Sequence, residues 1–261
     1  MNRIDQKFKE LKSKNKKALI CFITAGDPDI EKSVGIALAM EKAGADIIEF
    51  GIPYSDPIAE GPVVQRANLR ALSGGLKIGD VMNAVKKLRE KSEVPLAYLL
   101  YYNIILQYGP DRFFSECKEA GVDALIIPDL PFEESGEIKE FTEKYGVYQI
   151  SLVAPTSEER IEKIAKSAKG FLYCVSSLGV TGTRSSFSTD FEKFFGVINK
   201  FSAVPTALGF GISTPEHIRA LKKYADGLIV GSAIVKKIEE NTGNEVGAVS
   251  EFVGKLREAL N

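Results

Sequence analysis

The feature that most constrains this chain is a rhythm in which short apolar runs alternate, eight times over, with longer stretches of helical spacing. The apolar runs fall at 18–23, 47–50, 96–101, 124–127, 148–153, 171–175, 206–208 and 227–230. Between them, apolar residues recur at helical intervals over 29–43, 63–72, 81–91, 110–120, 133–145, 158–168, 191–201 and 214–224, and Val249, Phe252, Val253 and Leu256 mark a closing helix. Turn chemistry punctuates the pattern. Gly44, Gly121 and Gly146 stop helices, Thr156 with Glu159 reads as a capping box, and Pro215 behind Thr214 opens a helix. Alternating strands and helices, joined by short turns without a linker or low-complexity tract, predict an α/β fold over residues 1–261: one (β/α)8 barrel domain. An extra helix at 4–12, with Ile4, Phe8 and Leu11 on one face, precedes it. The structural alternative is a doubly wound open sheet, which more usually sets its Gly-rich phosphate turn after the first strand. Here the glycines come late.

Composition narrows the function classes. With 261 residues and 44% hydrophobic content, the chain can bury a full core. Its 34 basic and 35 acidic residues are spread along the chain, so no charged block recommends nucleic acid or a membrane surface as partner. The charged, amphipathic residues 1–17 do not read as a signal peptide, and no apolar run reaches membrane-spanning length, which predicts a soluble, cytoplasmic protein. Cys21, Cys117 and Cys174 are odd in number and widely spaced, so they read as reduced packing residues, not as a disulfide framework or a metal knuckle.

The chemistry concentrates in residues 45–65, ADIIEFGIPYSDPIAEGPVVQ. Glu49 interrupts an otherwise apolar strand, and the loop that follows carries two more carboxylates, Asp56 and Glu60. Burying a carboxylate disfavours its charged form and raises its pKa, as a proton-transferring group requires. The plain alternative, a glutamate facing solvent from a half-exposed strand, weakens if the strand lies in a parallel sheet covered by helices.

Two further features belong at the C-terminal ends of barrel strands, where this fold places its active sites. Gly209, Gly211 and Ser213 follow strand seven, and Gly231 and Ser232 follow strand eight at the start of a short helix. Such glycines let backbone N–H groups approach an anion, though each also suits a simple turn. The Gly/Ser/Thr-rich stretch 176–189 fits a lid and fits equally a flexible surface loop. Phe22, Leu100, Tyr102, Tyr173 and Phe210 stand at strand ends and can line a flat apolar pocket, or serve as ordinary packing. Elimination helps. The only histidine, His217, falls in a helix, no lysine ends a strand, and no early GxGxxG follows a strand. Histidine triads, His-rich metal sites, Schiff bases and dinucleotide cofactors are therefore disfavoured. Carboxylate acid–base chemistry on a phosphorylated substrate remains.

The segments EFGIPYSDPIAEGP, YYNIILQYG, IIPDLP, SSLGVTGTR, GFGIST and DGLIVGSAIVK, in this order, resemble the tryptophan synthase alpha subunit family over essentially the whole chain. The resemblance implies a TIM barrel that cleaves indole-3-glycerol phosphate to indole and glyceraldehyde 3-phosphate without metal or cofactor. It also implies a pyridoxal-phosphate beta subunit that receives the indole in an α2β2 assembly. Glu49 matches the family's catalytic glutamate, and Glu60 stands where the family has an aspartate that binds the indole N–H. That extra methylene displaces the carboxylate by about 1.5 Å unless the loop adjusts. Thr181 matches the lid threonine, and Gly182, Phe210, Gly211, Gly231 and Ser232 match the phosphate-binding backbone. Phe22, Leu100, Tyr102, Tyr173 and Phe210 fall on or near the implied indole pocket, and Phe132 replaces a residue that is often proline. Three rivals stand beside this: a sugar-phosphate epimerase, which would need His and Asp metal ligands; a weakly catalytic barrel that activates a partner; and a stand-alone lyase that releases indole.

Overall fold

In the computed structural model, which describes residues 1–175, 190–209 and 211–261, eight parallel strands close into a barrel in sequence order. They are β1 (Ala18–Thr24), β2 (Ile47–Gly51), β3 (Leu96–Leu99), β4 (Ala124–Ile126), β5 (Tyr148–Val153), β6 (Leu172–Val175), β7 (Thr206–Gly209) and β8 (Gly227–Val230). Closure is made by β1 against β8, with Ala18 opposite Gly227 and Cys21 opposite Val230, so the open-sheet alternative is excluded. Gly227 fits tightly at that seam, where a Cβ would stand 3.0 Å from the Cβ of Ala18.

Alternation along each strand sorts the side chains into two cores. Along β1, Leu19, Cys21 and Ile23 face outward into the large apolar layer beneath the helices, whereas Ala18 and Ile20 join the core inside the barrel. The helix Arg3–Ser13 closes the N-terminal end of that inner core with Ile4, Phe8 and Leu11, and Phe8 lies 5.8 Å from Phe171 between ring centroids. At the same end, an aspartate ahead of a strand repeatedly ties it to its predecessor. Asp46, Asp123 and Asp226 accept the N–H of Leu19, Leu96 and Thr206 at 2.8, 2.9 and 3.0 Å. These bonds tie the strands together at the N-terminal end, and the cavity lined by Glu49 opens at the C-terminal end.

Most predicted elements appear within a residue or two of their expected bounds. Five details differ. The helices expected over 81–91 and 214–224 are Ile78–Arg89 and Pro215–Leu221. The run 96–101 is not all strand: β3 ends at Leu99, and a further helix, Tyr102–Tyr108, precedes the helix Pro110–Ala120. The helix Glu158–Ser167 is capped by Ser157, which accepts from Arg160 N–H, while the Thr156 hydroxyl turns back to Ala154 O. The stretch 133–145 begins as a short 3-10 turn, Phe132–Glu134, before the helix Gly136–Tyr145. All three cysteines are buried and free. Among the described residues, no helix is long and apolar enough to cross a membrane.

Candidate active site

The cavity at the C-terminal end of the barrel is built from six strands and the loops that leave them. Phe22 comes from β1, Glu49 from β2, Leu99 from β3, Leu152 from β5, Tyr173 from β6 and Ile229 from β8. Ala59 and Glu60 enter from the loop after β2, Gly211 and Ile212 from the loop after β7, and Gly231 and Ser232 from the turn after β8. The walls are chiefly apolar and the two carboxylates enter from neighbouring parts of the chain, an arrangement that orients a mostly apolar ligand through a few polar contacts.

Glu49 is 1% exposed, and among the described residues neither side-chain oxygen has a hydrogen-bond partner. Burial alone pushes its carboxyl up to about 8, so it is mainly protonated at neutral pH. Close packing enforces that dryness. The Phe22 ring lies over Gly51, where a Cβ would come within 2.5 Å of Phe22 Cζ, and a Cβ on Gly209 would come within 2.7 Å of Tyr173. Both glycines make room for aromatic walls, and burial keeps the Tyr173 phenol neutral.

The three carboxylates of residues 45–65 separate into distinct environments. Asp56 is exposed and accepts from the Ser55 hydroxyl at 2.6 Å, so it lies outside the cavity. Glu60 is 6% exposed, and its Oε2 accepts a short hydrogen bond from the Tyr101 hydroxyl. Burial raises the Glu60 carboxyl above the ordinary range, and the Tyr101 hydrogen bond opposes that rise. The Tyr101 oxygen in turn accepts from the backbone N–H groups of Ile58 and Ala59, both at 2.8 Å. Gln65 holds the Glu60 carbonyl at 2.8 Å from the first turn of the helix Pro62–Ser73.

Facing the carboxylates, Gly231 precedes the helix Ser232–Glu240, whose ladder begins with Ile234 N–H donating to Gly231 O at 2.8 Å. The N–H groups of Ser232 and Ala233 stand ahead of that ladder at the positive end of the helix. Gly211 has φ +86, the left-handed region that glycine tolerates best. Gly209 and Ser213 lie beside the cavity without lining it, and the Ser213 N–H approaches Nδ1 of His217 at 3.4 Å within the same turn.

Leu100 and Tyr102 are one residue out of step with the cavity. Because β3 alternates, Leu99 faces inward, whereas Leu100 is fully buried in the outer layer under the helices. Tyr102 packs against that outer layer and donates to Glu137 at 2.8 Å, while its N–H is held by Asp129 at 2.9 Å. The residues that reach the site from this segment are Leu99, in the wall, and Tyr101, through Glu60. Thr181, Gly182 and Phe210 lie outside the described residues, as does the whole stretch 176–189.

The comparisons with known proteins agree in direction. The profile of the family described as tryptophan synthase alpha chain matches residues 8–261. The tryptophan synthase alpha chain of Thermoanaerobacter pseudethanolicus is 54% identical, with the whole of both chains covered. That of Clostridium kluyveri is 49% identical over the same extent. Among solved structures, the tryptophan synthase alpha chain of Legionella pneumophila superposes with a TM-score of 0.89 at 38% identity, covering 100% of this chain and 97% of the other. A chain of Mycobacterium tuberculosis tryptophan synthase gives a TM-score of 0.90 at 32% identity, covering 99% of this chain and 98% of that one. With its full length matched, its barrel closed in the same form and a buried glutamate at the strand ends, the chain belongs to the tryptophan synthase alpha chain family.

Proposed function

We propose that this site cleaves indole-3-glycerol phosphate to indole and glyceraldehyde 3-phosphate, with Glu49 moving the protons and Glu60 holding the indole N–H. The carbon–carbon lyase activity and the place in tryptophan biosynthesis go with the family; the assignment of residues is argued from the site. The observation that carries the assignment is the pairing of a buried Glu49, without a hydrogen-bond partner among the described residues, with a second buried carboxylate at the rim of one apolar cavity.

Retro-aldol cleavage needs a proton on the ring carbon that bears the side chain, and then removal of the proton from the adjacent hydroxyl. Glu49, protonated at the outset, gives its proton to that ring carbon and leaves positive charge at the ring nitrogen. The Glu60 carboxylate accepts the nitrogen's N–H and opposes that charge in a cavity where water does not screen it. Glu49, now a carboxylate, takes the hydroxyl proton as the carbon–carbon bond breaks. The bonding electrons return to the ring, indole and the aldehyde separate, and Glu49 ends protonated as it began. Phe22, Leu99 and Tyr173 provide the apolar walls for the ring. The phosphate falls to Gly211, Gly231 and Ser232, with Gly182 and Phe210 from the undescribed segments. Thr181 is assigned the lid contact to Glu60.

A beta subunit accompanies the family, and an α2β2 assembly in the cytoplasm is the form proposed for this chain. The pyridoxal phosphate belongs to that partner, and this chain uses no cofactor of its own in the proposed steps. Glu49→Gln keeps the shape of the side chain and removes its exchangeable proton. Indole release, measured with and without the beta subunit, is expected to fall more than about a hundredfold in this variant. A folded variant that retains more than about a hundredth of the wild-type rate would overturn the assignment.

A further inference from the structure

Resting on the lyase reading above, we infer that Tyr101 is a positioning residue for Glu60, fixing one carboxylate oxygen so that the other faces the substrate. Glutamate has one more rotatable bond than aspartate, so a carboxylate at position 60 has more freedom to lose before it can hold a ring N–H in one place. Tyr101 removes that freedom. Its hydroxyl donates to Oε2 of Glu60, and its ring is buried and stacked on Tyr54 with centroids 4.9 Å apart.

The hydroxyl is itself held. Its lone pairs accept the N–H groups of Ile58 and Ala59, both at 2.8 Å, so the only proton it offers is directed at Glu60. The three donor–acceptor contacts close a compact unit in which the loop that carries Glu60 also orients the phenol that fixes it. Glu60 itself lines the cavity, so the carboxylate that Tyr101 holds is presented to a bound ligand.

Charge follows from the same contact. Glu60 must be ionised to oppose positive charge on the ring, and both burial and the neighbouring Asp129 favour its neutral form. The Tyr101 hydrogen bond acts against both. Facing Glu60 are therefore Asp129 from the loop after β4 and Tyr101 from the end of β3, while Glu49 on β2 lines the same cavity and is protonated near neutrality.

The test is a double-mutant cycle read in kcat for indole release by the full-length protein with its beta subunit. Tyr101→Phe is expected to lower kcat by about tenfold to a hundredfold with a smaller change in KM, and to move the acid limb of the pH profile to higher pH. In a Glu60→Ala background the same substitution should change kcat less than about twofold, because the group it positions is gone. If Tyr101→Phe lowers kcat equally in both backgrounds, Tyr101 serves only to hold the loop and the inference fails. Should Glu60→Ala leave too little activity to read, the pH profile of the single variant decides: an unmoved acid limb overturns the inference. Wild-type kinetics for Glu60→Ala would instead overturn the lyase assignment of Glu60 itself, which separates the two failures.

Discussion

Phe22 and Glu49 are register partners on adjacent parallel strands, and both line the cavity at the C-terminal end of the barrel. The pairing explains why a carboxyl group at the mouth of a barrel is dry. An aromatic ring stands directly beside it on β1, Tyr173 closes in from β6, and no donor among the described residues meets either oxygen. Proton transfer and pocket shape thus depend on the same few side chains.

The Phe22 ring is sensitive to its floor. Gly51→Ala places a methyl group within 2.5 Å of Phe22 Cζ, so the ring must shift from its place in the cavity wall. The variant is expected to lose about 1–3 kcal/mol of stability and to show a raised KM for the indole substrate. Denaturant unfolding with steady-state kinetics checks both, and an unchanged KM in a destabilised variant would detach Phe22 from the binding surface.

Leu99 and Leu100 separate site from core within two residues. Leu100→Ala should cost about 2–5 kcal/mol of stability with little effect on KM, because its side chain fills the outer layer beneath the helices. Leu99→Ala should do the reverse, weakening indole binding with a smaller loss of stability. Urea denaturation and KM measurements on the pair would reveal the opposite pattern if the inward face were misassigned.

At the phosphate end, Ser232→Asp puts a negative charge at the first position of the helix Ser232–Glu240. Binding of glycerol phosphate analogues, measured by calorimetry, should weaken at least tenfold from the repulsion and the lost approach to backbone N–H groups. Unchanged affinity in a folded variant would move the phosphate elsewhere.

Glu60 tests the departure from the family's aspartate. Glu60→Ala is expected to lose turnover severely, by about a hundredfold or more, and Glu60→Asp to fall between, since the shorter arm no longer reaches from Tyr101 to the ring. An aspartate variant faster than the wild type would show that the loop has not adapted to glutamate.

The barrel was legible because it rests on periodicity. Runs such as 18–23 and 227–230 are apolar throughout, as parallel strands buried on both faces must be, and the glycines at 44, 121 and 146 stop helices in left-handed conformations as read. Glu49 was legible for the same reason: a lone carboxylate in such a run. What periodicity blurs is phase. In LAYLLYY every residue from Leu96 is apolar or aromatic, so sequence alone does not show which of Leu99 and Leu100 faces inward, and the strand's end at Leu99 is equally hidden. Tyr101 was missed because its role depends on a loop folded more than forty residues away, at Ile58, Ala59 and Glu60. Asp56 and Glu60 look alike in sequence and differ only in burial, which the chain path of their loop decides.

Burial of Glu49 also sets a pH dependence of stability. Its folded pKa of about 8 lies above the ordinary carboxylate value of about 4.3, so between these values the folded state binds more protons than the unfolded state. Stability therefore falls as pH rises through that window and levels off above it. Glu49→Gln escapes the loss, and its advantage over wild type should grow from nil below about pH 4 to on the order of 5 kcal/mol above about pH 8. Urea denaturation of both proteins across the range would contradict this if their difference did not change with pH.

The central claim is that Glu49 is a buried acid, protonated and ready to give its proton when substrate arrives. Carbon-13 NMR of glutamate-labelled protein, with the Glu49 carboxyl signal assigned by its absence from Glu49→Gln, measures that proton directly. The account predicts a titration near 8 in the free protein, matched by an alkaline fall in kcat/KM at the same pH. A Glu49 signal that titrates in the ordinary carboxylate range of about 4 to 5 would mean that the group is already ionised at neutral pH and would contradict the account.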